Sequence, residues 1–210
     1  MTNYSYTTIN DPSGSFTSAQ KLNNLGQFVG GYNDGSGDHG FLYSGGSYTT
    51  LDDPLATGNT PAFGITGTLA YGINDNGDIV GHYNADGSVH GFLYSGGSYT
   101  TLDDPFGTNG TLACGINDKG QIVGFYVGAS GASHGLLYSG GTYTTLDDPS
   151  ATNGTFAYGI NATGQIVGAY NDGSGFHGFL DRGGSYTTVD DPFAAGETVA
   201  WTINGNGKLR

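Results

Sequence analysis

One fifteen-residue segment is written four times along the chain, and this repetition constrains the fold more than any other feature of the sequence. The segment GFLYSGGSYTTLDDP occurs unchanged at 40–54 and 91–105, and close copies end at Pro149 and Pro192. The YTT triplets begin at positions 6, 48, 99, 143 and 186, so the period is 42 to 51 residues. A chain with such a period builds one supersecondary unit several times and packs the copies together.

A second motif follows each copy and completes the unit. It reads AYGINDNGDIVGHY at 70–83, ACGINDKGQIVGFY at 113–126 and AYGINATGQIVGAY at 157–170, with degenerate forms at 19–32 and 200–207. Within one unit we predict strand A over TLAYGIN, strand B over DIVGHY, strand C over HGFLYS and strand D over SYTTLDD. The Asn/Asp-Gly and Gly-Gly pairs between these segments are strong signals of tight hairpin turns.

Three tight turns and one long connection predict a four-stranded antiparallel meander, which is the blade of a β-propeller. The chain offers a strand D, four complete A-B-C-D units and a final strand A. We therefore predict a single all-β domain, a five-bladed β-propeller with units at about 13–54, 55–105, 106–149 and 150–192. Segments 1–12 and 193–210 would form the closing blade, so that no edge strand stays open. A four-bladed propeller, or a fragment that completes its last blade in an oligomer, is the alternative.

Composition supports a folded β protein and argues against some partners. Glycine accounts for 41 of 210 residues, but 15 Tyr and 11 Phe accompany it, whereas disordered chains are poor in aromatics. The net charge of −13 disfavours nucleic acid and anionic membranes as partners and permits a divalent cation. No run approaches the roughly 18 apolar residues of a membrane span, and the start MTNYSYTTIN has no visible signal peptide. The single cysteine, Cys114, is expected to be a small buried apolar residue.

The motifs GINDNGDIVG and HGFLYSGGSYTTLD together resemble the HAF repeat family of bacterial extracellular proteins, which is named for a His-Ala-Phe triplet. In this chain the triplet reads His39-Gly40-Phe41, His90-Gly91-Phe92, His134-Gly135-Leu136 and His177-Gly178-Phe179. The resemblance covers nearly the whole chain, with glycine in place of the central alanine. It implies secretion or exposure at a bacterial cell surface, and it supplies no catalytic residue.

Two repeated polar features are candidate ligand contacts. One histidine opens strand C of each unit, and it either bonds backbone between blades, as buried polar groups require, or contacts a ligand; these are His39, His90, His134 and His177. Paired aspartates precede the repeated proline in four copies, as at Asp52-Asp53, with Asn10-Asp11 in the first copy, and such acids are typical of turns. A calcium site at the rim is the alternative for them. His82 lies outside this register and is expected at the surface.

The loops between strands B and C combine aromatic and polar residues, which suits a sugar site. Their candidate ligand-binding residues are Tyr32, Asn33, Asp34, Tyr83, Asn84, Asp86, Tyr170, Asn171 and Asp172. The loop of the third unit, 126–135, has lost both Asn and Asp. Calcium is the alternative occupant, with Asp34, Asp38, Asp86 and Asp172 as ligands, although the spacing does not match an EF-hand.

One position of strand A varies while its neighbours stay constant, with Gln20, Tyr71, Cys114, Tyr158 and Trp201 in successive copies. Its three aromatics, Tyr71, Tyr158 and Trp201, either stack on a ligand or pack between blades. An insertion between Pro54 and Gly72 breaks the symmetry of the repeats. The insertion is either tolerated without a role of its own or, because loops on a rigid scaffold often carry function, its segment 59–63 forms a lip over one face.

These patterns favour a non-catalytic, lectin-like module that binds glycans or a small polar ligand at repeated sites, without a required cofactor and with calcium as an option. Several equivalent weak sites would gain avidity together. The chain is similar to tachylectin-type five-bladed lectins in size and blade number. The alternatives are an adhesive surface repeat that self-associates through strand pairing and a propeller glycosidase. A glycosidase needs two facing carboxylates, and the only glutamate of this chain is Glu197.

Overall fold

The computed structural model describes residues 8–57, 64, 66–193 and 196–209. That part of the chain contains sixteen β-strands and no helix long and apolar enough to cross a membrane. The first unit comprises β1 (Phe16–Leu22), β2 (Phe28–Asn33), β3 (Asp38–Ser44) and β4 (Ser47–Leu51). The second comprises β5 (Thr68–Ile73), β6 (Ile79–Ala85), β7 (Ser88–Ser95) and β8 (Ser98–Leu102). The third comprises β9 (Thr111–Ile116), β10 (Ile122–Val127), β11 (Ser133–Ser139) and β12 (Thr142–Leu146), and the fourth β13 (Gly154–Ile160), β14 (Ile166–Asn171), β15 (Phe176–Asp181) and β16 (Tyr186–Thr188).

Within each unit the four strands pair antiparallel in chain order. One parallel bridge, between Ser133 and Gly154, also links the third unit to the fourth, so these two form one eight-stranded sheet. The all-β prediction is confirmed, and so are the four strand assignments of the repeat, which agree with the observed bounds to within a few residues.

The hairpin between strands C and D requires glycine at both turn positions. In the second unit Gly96 and Gly97 have φ values of 57° and 85°. Two successive positive φ values are those of a type I′ turn, whose twist matches the flanking strands. The same Gly-Gly pair turns the chain in the other three units, so the repeated GG is explained by backbone geometry.

A second glycine is required where strands A and B pair. In β10, a Cβ at Gly124 would overlap the backbone carbonyl oxygen of Leu112 in β9. Gly30, Gly81 and Gly168 meet the neighbouring carbonyl in the same way. The glycine of the VG dipeptide therefore allows the two backbones to approach more closely than any side chain would permit.

Strand A of each unit contains a β-bulge, and the bulged residue is the variable one. The register skips Gln20 in β1, Tyr71 in β5, Cys114 in β9 and Tyr158 in β13. A bulge leaves one residue without a cross-strand partner and changes the direction of its side chain. The bulge therefore turns the same position of every unit out of the regular strand pattern.

The residue after each bulge brings neighbouring units together. A Cβ at Gly72 would lie 3.2 Å from the Cα of Gly115, and one at Gly159 would lie 3.1 Å from the Cα of Thr202. In the first unit the equivalent residue is Lys21, and its Nζ donates a hydrogen bond to Oγ1 of Thr202 at 2.8 Å. The contacts thus run from unit to unit and return from the C-terminal segment, residues 196–209, to the first unit.

The C-terminal segment packs on the fourth unit without forming a regular strand, so the prediction of a final strand A at 200–207 is wrong. Ala200 and Ile203 are buried against Val167 and Leu180, and one isolated antiparallel bridge joins Ile203 to Leu209. At the other end of the chain, residues 8–12 are not in a strand, and the rest of the predicted N-terminal strand D, including Tyr6, lies outside the described residues. The segment 59–63, predicted to form a lip, also lies outside them.

Candidate functional site

The bulged residues of the four units come together with Trp201 around one cavity. Gln20, Tyr71, Cys114, Tyr158 and Trp201 all line a space of about 510 Å³. Lys21, His82, Leu112, Phe125 and Thr202 complete its wall. This volume lies within the range of roughly 300–1,000 Å³ that is usual for small-molecule sites. The variable position of strand A, which the sequence singled out, is therefore the position that shapes the cavity.

Aromatic side chains form a large part of the cavity wall, namely Tyr71, Phe125, Tyr158 and Trp201. Tyr158 and Trp201 stack with ring centroids 4.5 Å apart and an interplanar angle of 29°. Trp201 keeps 59% of its surface exposed, so one face of the pair is open to a ligand. Tyr71 leans on His82 at a centroid distance of 4.7 Å. Two stacked rings with an exposed face can hold the apolar face of a ring-shaped ligand.

The basic groups of the cavity are Lys21 and His82. Burial lowers the pKa of Lys21. His82 is 2% exposed, and burial lowers its pKa to about 4. Neither ring nitrogen of His82 has a hydrogen-bond partner among the described residues. The imidazole is therefore neutral at neutral pH, with one unused donor and one unused acceptor.

The expectation that His82 lies at the surface is wrong. His82 is the fourth residue of the IVGHY stretch of strand B, and this position varies as Gly31, His82, Phe125 and Ala169. The side chains at this position face the neighbouring unit. In the third unit, for example, the ring of Phe125 lies 5.0 Å from that of Phe156 in the fourth. The sequence contained a signal for the role of this position in strand B. The position varies between units while its neighbours do not, as the bulged position of strand A does.

Cys114 behaves as the sequence predicted. The residue is 9% exposed, and burial raises the pKa of its thiol to about 12. The thiol therefore stays protonated at neutral pH and acts as a small apolar part of the cavity wall.

A second cavity of about 390 Å³ lies at the asparagine ends of the A strands. There an asparagine amide of each unit donates to the carbonyl oxygen of the next. The Nδ2–O distances are 3.0 Å from Asn23 to Asn74, 3.1 Å from Asn74 to Asn117, 3.0 Å from Asn117 to Asn161, and 3.2 Å from Asn161 to Asn204. Lys21 and Thr202 line both cavities, so they lie between them.

The four repeated histidines bond to aspartate side chains rather than to backbone. In the second unit Nδ1 of His90 lies 2.8 Å from Oδ2 of Asp103. The equivalent pairs are His39–Asp52 at 3.0 Å, His134–Asp147 at 2.9 Å and His177–Asp190 at 2.7 Å. Burial opposes protonation of His39, but the hydrogen bond and charge of Asp52, together with Asp34, raise its pKa above the usual value.

The two aspartates of each pair have different hydrogen-bond partners. This is expected, because neighbouring residues of a strand point to opposite faces. The first, such as Asp52, faces the histidine. The second accepts from the backbone two residues on, as Oδ1 of Asp53 does from Leu55 N at 2.9 Å, and it is buried in the first three units and exposed, as Asp191, in the fourth. The interpretation of the Asp pairs as turn chemistry agrees with this bond.

The tyrosines predicted as loop platforms are buried. Tyr32, Tyr83 and Tyr170 are 5%, 2% and 5% exposed. Each hydroxyl bonds a threonine of strand D, as Tyr83 does to Thr101 at 3.0 Å. Each ring also stacks on the repeated histidine, with centroids 5.1–5.3 Å apart. Their faces are therefore occupied by the protein's own side chains.

The polar loop residues are also engaged within the chain. Asn33 Nδ2 donates to Asp38 Oδ1 at 2.9 Å, and Asn171 Oδ1 accepts from Gly173 N at 2.8 Å. Asn84 is wholly buried, and Asp86 occupies a turn with a φ of 53°. Asp34 and Asp172 each accept from the serine two residues on at 2.7 Å.

The residues predicted as calcium ligands are separate from one another. Asp38 accepts from Asn33 and Thr66, and Asp34, Asp86 and Asp172 lie in different turns. Across residues 8–57, 64, 66–193 and 196–209, no three His, Cys, Asp or Glu side chains are grouped to hold a metal ion.

Part of the first loop does reach a cleft. Tyr32, Asn33 and Asp38 line a space of about 200 Å³ between the first and second units, together with Gln20 and Tyr71. Because Gln20 and Tyr71 also line the larger cavity, the two spaces are neighbours.

Comparison with known proteins gives the fold class of the chain. No protein-family model matches it, and no curated protein sequence matches it. A variant of the Aleuria aurantia lectin in complex with Fucα1-6GlcNAc superposes with a TM-score of 0.52 at 15% identity, over 92% of this chain and 69% of the lectin. A variant of AofleA from Arthrobotrys oligospora gives 0.52 at 11% identity, over 97% and 67%. The fucose-specific lectin from Aleuria aurantia gives 0.50 at 14% identity, over 92% and 68%. At these identities the shared feature is the all-β fold.

Proposed function

We propose that the chain is a non-catalytic, lectin-like module that binds carbohydrate in the cavity lined by the bulged residues. The observation that carries this proposal is the convergence of Tyr71, Tyr158 and Trp201 on one space with the polar groups of Gln20 and Lys21. An aromatic platform with a few fixed hydrogen-bonding groups is the arrangement that sugar sites need. The fold similarity to lectins supports the proposal at the level of architecture only.

The same proposal includes a five-bladed β-propeller. The four units supply four blades, and segments 193–210 and 1–12 supply the fifth. The hydrogen bond between Lys21 and Thr202 supports this closure, because it joins the first unit to the C-terminal segment. Membership of the HAF repeat family and an extracellular location in bacteria belong to the proposal as well, on the strength of the repeat motifs.

One main site per chain is favoured over several equivalent ones. The loop tyrosines are covered by histidines, and the loop Asn and Asp residues bond within their own turns. The cavity, by contrast, has an exposed tryptophan and a histidine without partners among the described residues. Stoichiometry therefore separates this site from the repeated loop sites.

Trp201 is the only tryptophan of the chain, so its fluorescence reports on the cavity alone. The test is a titration of the protein with a monosaccharide panel that includes L-fucose, followed by calorimetry on any sugar that changes the emission. We expect one site per chain, and at least a tenfold loss of affinity in Trp201→Ala. The matched control is Phe106→Ala, which removes another exposed aromatic residue that does not line the cavity.

If the protein bound no sugar of a broad glycan array, the carbohydrate proposal would be wrong. A stoichiometry of about four with unchanged binding by Trp201→Ala would move the site to the loops. A glycosidase is the less favoured alternative, since the described residues that line the cavity include neither Asp nor Glu. Steady turnover of chromogenic glycosides that Glu197→Gln abolishes would favour the enzyme instead.

Self-association is a second candidate function with an observation of its own. The residue after the repeated proline is a large exposed apolar side chain in three copies, namely Leu55, Phe106 and Phe193, at 58%, 68% and 93% exposure. The other two copies have Ser13 and Ser150 there. If these side chains join chains together, Phe106→Ser and Phe193→Ser should remove concentration-dependent light scattering. A wild-type monomer at all concentrations would exclude this function.

A further inference from the structure

The cavity lined by the bulged residues has a basic character that the rest of the protein lacks. The chain carries only 5 Lys and Arg against 18 Asp and Glu. Two of the cavity's polar residues are nonetheless Lys21 and His82, and none of its described lining residues is acidic. Since the imidazole of His82 is neutral at neutral pH, the positive charge of this cavity comes from Lys21, and no described carboxylate in its wall offsets that charge.

Lys21 occupies a position at which the three other units have glycine. Gly72, Gly115 and Gly159 follow the bulge in those units, and there the absence of a side chain lets the backbones touch. Backbone packing alone thus calls for no lysine at this position. Its ammonium group has three donors, of which one reaches Thr202 Oγ1 at 2.8 Å. Among the described residues no carboxylate forms an ion pair with it.

His82 provides a second group without a partner. Its ring is 2% exposed, it lines the same cavity, and neither nitrogen has a hydrogen-bond partner among the described residues. Burial of a polar group without a compensating hydrogen bond is unfavourable. The wall behind Tyr71 therefore keeps a neutral polar group that no described protein group uses.

We infer that the cavity selects a ligand that carries a carboxylate on a six-membered ring. The ammonium of Lys21 binds the carboxylate, and the ring lies against the Tyr158–Trp201 pair. A uronic acid is the sugar with this chemistry, and an aromatic acid is the other source of it. The inference rests on the proposed function, since it concerns the ligand class of the same cavity.

A charge-assisted hydrogen bond to a carboxylate is about twice as strong as a neutral one. The overall charge of −13 opposes the approach of an anion, so the selectivity must come from the local contact with Lys21. A neutral sugar of the same shape would stack on the rings without this contact. Affinity for the acid should therefore exceed affinity for its neutral counterpart.

The test compares D-glucuronate with D-glucose, which has a hydroxymethyl group in place of the carboxylate, by Trp201 fluorescence and calorimetry. We expect glucuronate to bind at least tenfold more tightly than glucose. Lys21→Met should reduce glucuronate affinity to the level at which the same variant binds glucose, and Lys21→Arg should retain the preference. Lys119→Met, at an exposed turn residue, is the matched control and should change neither affinity.

Each outcome decides a different point. Equal affinity for both sugars, unaffected by Lys21→Met, would overturn this inference and leave the carbohydrate proposal standing. Tight binding of benzoate together with no sugar binding would support the carboxylate inference and overturn the carbohydrate proposal. Absence of binding by all three ligands would overturn this inference, and the carbohydrate proposal would fall as well only if the glycan array also showed no binding. Since Lys21→Met also removes a contact between units, its thermal unfolding must match that of Lys21→Arg to within a few degrees before its affinities are interpreted.

Discussion

Lys21 and Thr202 are separated by 181 residues in the chain, and Nζ of Lys21 donates a hydrogen bond to Oγ1 of Thr202 at 2.8 Å. At the equivalent positions of the other junctions, Gly115 and Gly159 bring bare backbones together. The junction between the first unit and the C-terminal segment therefore uses a side-chain bond where the others use backbone contact. It is also the junction at which the two ends of the described chain meet.

Thr202→Val should weaken this junction. Valine keeps the shape of threonine and removes the hydroxyl, so the ammonium of Lys21 loses its acceptor. Because a hydrogen bond to a charged group contributes about 1.5–3 kcal/mol and the site is partly exposed, we expect the free energy of unfolding to fall by about 1 kcal/mol in urea denaturation. Thr100→Val, an exposed threonine of β8, is the control and should change it by less than about 0.5 kcal/mol. Equal effects of the two substitutions would mean that the bond does not contribute.

The asparagine contacts between units should contribute more. Asn117 is 5% exposed, its Nδ2 donates to Asn161 O, and its Oδ1 accepts from the backbone N–H groups of Lys119 and Gln121. Because Nδ2 also donates to Gln121 Oε1 at 2.8 Å, Asn117→Ala removes four hydrogen bonds and leaves buried partners unsatisfied, so we expect a loss of about 3 kcal/mol in urea unfolding. Asn206→Ala, an exposed asparagine near the C-terminus, should have almost no effect. A loss below about 1 kcal/mol in Asn117→Ala would show that these contacts are incidental.

The strands could be predicted from the sequence because each repeat contains residues that mark its turns. Gly96-Gly97 marks a type I′ hairpin by backbone geometry alone, and Pro105 follows the last paired residue of β8 closely. These are local signals, which depend on a few adjacent residues. Copying them along the chain predicted the sixteen strands of the four units, and only the two further strands predicted at the ends of the repeat array lack an observed counterpart among the described residues.

The site could be predicted only in part, because it depends on contacts between units. The variation at Tyr71 and Trp201 was visible, but the bulge that turns this position towards a common cavity is a property of strand pairing. The burial of Tyr83 under His90 was not visible either, since a tyrosine beside polar loop residues suggests an exposed platform. Lys21 was missed because nothing in its own segment shows that Thr202 lies beside it.

The glycine of the VG dipeptide should tolerate no side chain. In Gly124→Ala the new Cβ would overlap the carbonyl oxygen of Leu112, and backbone atoms in a paired strand have little room to move. We expect this variant to lose more than about 3 kcal/mol of stability or to fail to fold, as measured by circular dichroism and urea unfolding. Gly128→Ala is the matched control, because the nearest atom to its Cβ would be 3.7 Å away, in His134. A well-folded Gly124→Ala protein of near wild-type stability would contradict the close pairing of β9 and β10.

His82→Phe should make the protein more resistant to acid. The folded pKa of His82 is about 4, against an ordinary value of about 6.5, so between these values the unfolded chain binds a proton that the folded one does not. The stability from a neutral His82 is therefore fully present above about pH 6.5 and is lost as the pH falls towards 4. His39 shifts in the opposite direction, and it is common to both proteins.

The variant takes the residue that the third unit already has at this position, Phe125, so the ring should be accommodated. Urea unfolding at about pH 7.5 and about pH 5 gives the difference in stability between wild type and variant at each pH. Because the folded and unfolded pKa values of His82 differ, that difference should move in favour of the variant by about 2 kcal/mol on going to the lower pH. Parallel loss of stability in the two proteins would mean that His82 is protonated in the folded state at pH 5, and hence that its ring reaches water or a carboxylate.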